Sequence, residues 1–156
     1  MKKTNAMRIL DSKKIKYEII EYSKEDGISG VEVAKTLNED PNRVYKTLVT
    51  FGKNDNYVFV IPSPNELDLK KAANASGEKK IEMLPQKDLL PKTGYIHGGC
   101  SPVGMKKQFK TFIDDSAEGK EYIYVSGGKV GMQVKLNPDD LAELIDAEFV
   151  NVVKGE

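Results

Sequence analysis

Two neighbouring runs, RVYKTLVTF at 43–51 and YVFVIP at 57–62, constrain the fold more than anything else in this chain. Side chains alternate along a strand, so in the first run Tyr45, Thr47, Val49 and Phe51 fall on one face and Val44, Lys46, Leu48 and Thr50 on the other. Both faces are mostly apolar. Such a strand needs cover on both sides, which calls for other layers packed around it. Lys46 is the exception, because it must surrender hydration with no acidic neighbour in the run. Two readings stay open for it. It is either a strand-edge lysine whose ammonium reaches water along Val44 and Leu48, or a cationic anchor inside a pocket. In the second reading Thr47 faces the opposite side or is reached through a local bulge.

Around these strands the chain reads as short elements. TNAMRILDSKK has helical spacing at Ala6, Met7 and Leu10, with Thr4 or Asn5 as the cap, and KYEIIEY follows as a strand. SGVEVAKTLN reads as a helix capped by Ser29, NELDLKKAANASG as a helix ended by Gly77, and NPDDLAELI as a last helix. EYIYVSGGKVGMQVKL reads as two strands around a glycine turn, and AEFVNVV as a closing strand. LPKTGYIHGGCSPVGM is an irregular, Pro/Gly-punctuated stretch. Strands outnumber helices. The expectation is therefore an α/β (α+β) fold with a mixed, partly rolled β-sheet and short helices packed outside it.

At 156 residues and 39% hydrophobic content the chain suits one domain, 1–156, with a sizeable core. No run resembles a secretory signal or a membrane span, so a cytoplasmic location without membrane association is expected. One cysteine, Cys100, and one histidine, His97, exclude a disulfide framework and a Cys/His metal cluster. Lys+Arg and Asp+Glu each number 24, which argues against unspecific attraction to DNA. The balance is uneven, however: residues 1–113 carry 20 basic and 14 acidic groups (+6), and 114–156 carry 4 and 10 (−6).

GYIHGGCSPVG sets Gly94, Gly98, Gly99 and Gly104 within eleven residues. Backbone of this kind closes tight turns, and it can also bring bare N–H groups to a phosphate or a developing oxyanion. It matches neither the phosphate-binding P-loop nor the dinucleotide fingerprint, and no cofactor is implied. Cys100 with His97 three residues before it makes a weak nucleophile pair, since most lone cysteines are small buried hydrophobes. Ser101 and Ser126 lie in glycine contexts, but neither forms a G-x-S-x-G elbow.

Taken in order, DPNRVYKTLV, LKKAA, GYIHGGCSPVGMKK and IYVSGGKVG resemble the YbaK/EbsC family of aminoacyl-tRNA deacylases, over about Ile15 to Val152. The resemblance implies a free-standing editing enzyme that removes cysteine from mischarged proline tRNA, and from cysteine tRNA. It also implies likeness to the editing insertion of bacterial prolyl-tRNA synthetases. By motif, the family's lysine is Lys46 and its neighbouring threonine Thr47; the first glycine of its Gly-Gly is Gly98, followed by Gly99; the serine before the second Gly-Gly is Ser126; and the first-strand aromatic is Tyr22. Two positions depart. Ser29 stands beside Gly30 where relatives often have phenylalanine, and Gln133 stands where some have aspartate.

The implied chemistry is substrate-assisted: the thiol of the attached cysteine attacks its own ester carbonyl, giving a thiolactone and free tRNA. Gly98 and Gly99 amides would then stabilise the carbonyl oxygen, and Lys46 would hold the terminal adenosine or its phosphate. The partners are the tRNA acceptor end and, for tRNA selection, prolyl-tRNA synthetase. Two rival readings remain: a same-fold deacylase for another residue such as alanine on proline tRNA, and a non-hydrolytic module that binds tRNA or a synthetase.

Overall fold

A computed structural model describes residues 2–22 and 30–155. In chain order these form α1 (Asn5–Ser12), β1 (Tyr17–Glu21), α2 (Gly30–Thr36), β2 (Tyr45–Phe51), β3 (Asn56–Pro62), α3 (Leu69–Ser76) and β4 (Glu82–Met83). α4 (Gln86–Thr93), β5 (Lys110–Asp114), β6 (Ile123–Ser126), β7 (Met132–Leu136), α5 (Pro138–Ile145) and β8 (Glu148–Val150) complete the fold. The five-stranded sheet has the order β4-β2-β3-β5-β8, and a three-stranded sheet has the order β1-β7-β6. β2 and β3 run antiparallel, whereas β3, β5 and β8 are parallel. The expected mixed α+β fold with short helices is what forms, with the strands divided between two sheets in place of one, linked by a bridge between Val44 and Tyr124.

Local chemistry explains the element ends. Thr4 caps α1 by accepting the Met7 N–H, Asp68 accepts from Lys70 and Lys71 at the start of α3, and Asn137 does the same for α5. Gly77 closes α3 in the left-handed conformation at φ 76°. The expected Ser29 cap of α2 lies outside the described residues.

β3 sits mid-sheet and every one of its residues is buried. Its Val58 and Val60 point into the larger core with Met7 and Leu10 of α1, Ile113 of β5 and Leu141 of α5. Its Tyr57, Phe59 and Ile61 point the other way, against Ala72 and Ala73 of α3 and Phe112 of β5. Phe59 and Phe112 stack at 5.3 Å between centroids. Burying each such side chain stabilises by about 1.5–3 kcal/mol, so the two-faced strand anchors both layers.

Three elements escape a reading of the sequence, the two-residue β4 among them. α4 runs into the stretch expected to be irregular, which begins at Leu90, with Pro85 before the helix and Pro91 inside it. It still ends on Gly94 at φ 86°, whose N–H reaches the Leu90 carbonyl. β5, KTFID, is parallel to both its neighbours and so has no hairpin turn to announce it.

Candidate active site

The β2–β3 sheet ends unevenly. β4 pairs with β2 only at Thr50 and Phe51, leaving the first half of that β2 edge without a strand partner there. The bare edge forms one wall of a cleft of about 480 Å³ whose lining includes Val44, Lys46, Thr47, Leu48 and Ser63. α2 supplies Gly30, Val31 and Val33; the Gly98 turn supplies His97, Gly98 and Cys100; Ser126 and Gln133 come from the second sheet. Because the cleft runs along an edge and not over a face, Lys46 and Thr47 both line it despite alternating direction. No bulge is needed.

Lys46 is half-buried, and no described residue reaches its ammonium with a hydrogen bond or ion pair. Burial holds it below the ordinary lysine value, and the Glu66 carboxylate partly offsets this. Glu66 is itself bonded to Lys154 at 3.0 Å. Two residues lining the same cleft carry buried oxygens with no hydrogen-bond partner among the described residues, Thr47 Oγ1 and Gln133 Oε1. Such groups are rare in folded proteins because an unpaired buried polar atom costs about 1–3 kcal/mol.

The glycine turn is built as follows. Gly98 has φ 84°, and the Gly99 N–H donates to the Ile96 carbonyl at 3.0 Å, the signature of a type II turn that requires glycine at its third position. The expectation that both glycine amides face the ligand is corrected here: the Gly99 N–H is engaged within the turn, while no described residue accepts from that of Gly98. Gly99 serves by closeness, since a β-carbon there would lie 2.9 Å from the Lys129 backbone.

Ser101 is also corrected. It is wholly buried, its hydroxyl accepts the Val103 N–H at 3.1 Å, and it does not line the cleft. Ser126 does line it, with its hydroxyl accepting from the Gly128 N–H at 3.2 Å. Tyr22, expected to bind substrate, does not line the cleft; its hydroxyl accepts from Gln133 Nε2 at 3.5 Å. Ser29 is outside the described residues. Cys100 lines the cleft, but burial pushes its thiol up to about 12. A thiol raised this far stays protonated at neutral pH, so Cys100 is no activated nucleophile.

Ser63 and Gly30 carry no signal in the sequence. Ser63 bonds the Val44 carbonyl through both its N–H and its hydroxyl, and a β-carbon on Gly30 would lie 1.8 Å from Ser63 Oγ. The contact seats α2 against the end of β3. Among the described residues no cluster of three or more His, Cys, Asp or Glu could hold a metal ion, and no helix is long and apolar enough to cross a membrane.

Fold and cleft together define a small α+β domain whose cleft offers a cation, a main-chain amide and unpaired oxygens and, among the described residues, no activated nucleophile. The chain belongs to the aminoacyl-tRNA editing domain family, whose model matches residues 25–144. It is 48% identical over 156 residues, 99% of this chain and 95% of the other, to an Enterococcus faecalis protein that carries the name Cys-tRNA(Pro)/Cys-tRNA(Cys) deacylase EbsC. It is 27% identical, over 73% of its own length, to 21% of a proline–tRNA ligase of Fervidobacterium nodosum. The fold matches the crystal structure of a protein described as a trans-editing enzyme for prolyl tRNA synthetase, with a TM-score of 0.86 at 22% identity over 99% of this chain and 100% of that one.

Proposed function

We propose that the protein, acting as one domain over 1–156, is a trans-editing deacylase that removes cysteine from Cys-tRNA(Pro), and from Cys-tRNA(Cys), in the cytoplasm. The observation that carries this reading is a single cleft, lined by the Gly98 turn, that holds the Lys46 ammonium and the Thr47 Oγ1 and Gln133 Oε1 oxygens, none of them bonded by a described residue. Gln133 Oε1 can only accept, so it suits an N–H or O–H donor such as the free amine of an aminoacyl ester. Lys46 suits the terminal nucleotide or its phosphate, and the Gly98 N–H suits the carbonyl oxygen as it gains charge.

In this reaction the substrate thiol forms a carbon–sulfur bond to its own ester carbonyl while the bond to the ribose oxygen breaks. The thiol proton ends on the departing ribose hydroxyl. No protein nucleophile takes part, in keeping with a Cys100 thiol raised to about 12. A balanced net charge suits a protein that contacts only the single-stranded acceptor end, with selection of tRNA(Pro) left to association with prolyl-tRNA synthetase.

The test is deacylation of cysteinyl- and alanyl-tRNA(Pro) side by side, with wild type and Cys100→Ser. Cysteine is expected to be released by both proteins and alanine by neither. Release of alanine at a comparable rate would replace the thiol-assisted reading with same-fold hydrolysis. An inactive but folded Cys100→Ser protein would overturn it outright.

A further inference from the structure

Thr4 and Asn5, at the start of α1, do not line the cleft, yet both reach the glycine loops that do. The Thr4 hydroxyl accepts the Met7 N–H at 3.2 Å, which caps the helix. It also donates to the Gly127 carbonyl at 2.5 Å, 123 positions away in sequence, a bond the helix does not need. Asn5 Nδ2 donates to the Gly104 carbonyl at 3.1 Å. One helix start thus holds the loop after Gly98 and the loop after Ser126 together.

The two loops are also in direct contact. A β-carbon on Gly98 would lie 3.3 Å from Val130 Cγ2, and one on Gly99 would lie 2.9 Å from the Lys129 backbone. Backbone against glycine leaves no flexible side chain to absorb a displacement, so movement of the second loop is passed to the first. Ser126 is tied in as well, because its hydroxyl accepts the Gly128 N–H at 3.2 Å.

We propose that Thr4 is a positioning residue: by bonding Gly127 it presses the 127–131 loop against the 96–99 turn and so keeps Gly98 and Ser126 in the cleft wall. The consequence for catalysis rests on the deacylase reading above.

The experiment compares Thr4→Asp with Thr4→Ser in the full chain. Aspartate keeps an acceptor for the Met7 N–H but has no proton to donate to Gly127; serine keeps both bonds. Thr4→Asp is expected to lower kcat on cysteinyl-tRNA on the order of tenfold with KM unchanged, as a misaligned transition-state donor would, and Thr4→Ser to behave as wild type. Hydrogen exchange supplies a readout independent of activity. The N–H groups of Gly99, Gly127 and Gly128, all bonded in the native state, should exchange faster in Thr4→Asp while those of β3 do not change. If Thr4→Asp does not fold, Thr4→Gly, which weakens the helix cap only a little and also removes the bond to Gly127, is expected to loosen the same glycines.

Exchange at these glycines that matches wild type, or that rises equally in β3, overturns the proposal, as does loosening with an unchanged kcat. Should wild type itself fail to release cysteine, the deacylase reading falls, and the exchange comparison alone decides the positioning claim.

Discussion

Lys46→Met separates a functional lysine from a structural one, because methionine keeps the apolar stem and removes only the charge. In the free protein the ammonium has no described hydrogen bond or ion pair to lose, and burial is the dominant influence on it. The substitution therefore relieves a desolvation cost and breaks nothing, so stability should hold within about 0.5 kcal/mol or rise. With substrate bound the sign reverses. A charged contact in a partly enclosed site is worth roughly 2–4 kcal/mol, the lower part of the range for desolvated charge pairs because the cleft is open to solvent on one side. At about 1.4 kcal/mol per tenfold, kcat/KM for cysteinyl-tRNA should fall about 30- to 700-fold. Thermal unfolding by circular dichroism and deacylation under initial-rate conditions measure the two quantities on one preparation. A variant that loses 2 kcal/mol or more of stability together with its activity would make Lys46 a structural residue, and a stable variant with wild-type kcat/KM would remove it from the site; either outcome refutes the reasoning.

Gly30→Ala should destabilise by about 1–3 kcal/mol, because its β-carbon would meet Ser63 Oγ at 1.8 Å and Ser63 is held by its bonds to Val44; a midpoint in urea equal to that of wild type would contradict this. Glu78 accepts from Tyr57 Oη at 2.6 Å and from the Lys53 and Asn54 N–H groups at 3.1 Å, which hold its carboxyl below the usual carboxylate range. A depressed carboxyl stabilises the fold above its unfolded value and loses that effect as pH falls through its folded value. Wild type should therefore exceed Glu78→Gln in stability at neutral pH and converge with it in acid, as pH falls through the lowered folded value, as followed by urea unfolding across pH; a constant difference would show that the carboxylate charge is irrelevant.

Much of the fold was legible because its signals are local. Thr4, Gly77 and Asn137 mark helix ends by chemistry available within three or four residues, and the runs around Val49 and Val58 demand two-sided burial wherever they are placed. β5 and α4 were not legible. A parallel strand receives its register from β3 and β8, and α4 persists through Pro91 while Leu89 packs on the larger core and Thr93 bonds the Leu89 carbonyl.

Residue types alone made Lys46 anomalous and Gly98 a candidate for close approach, since an unneutralised charge in an apolar strand and a glycine-dense loop are properties of composition and order. What they do there was decided in three dimensions. β4 stops short and bares one edge of β2, which lets Lys46 and Thr47 share a cleft. The 96–99 turn engages the Gly99 amide and leaves that of Gly98, and Ser101 is turned inward to bond Val103. Strand pairing and hydrogen-bond partners join segments tens of residues apart, so which groups are left without a partner is a property of the folded chain, and the vacant partners are what a ligand can use.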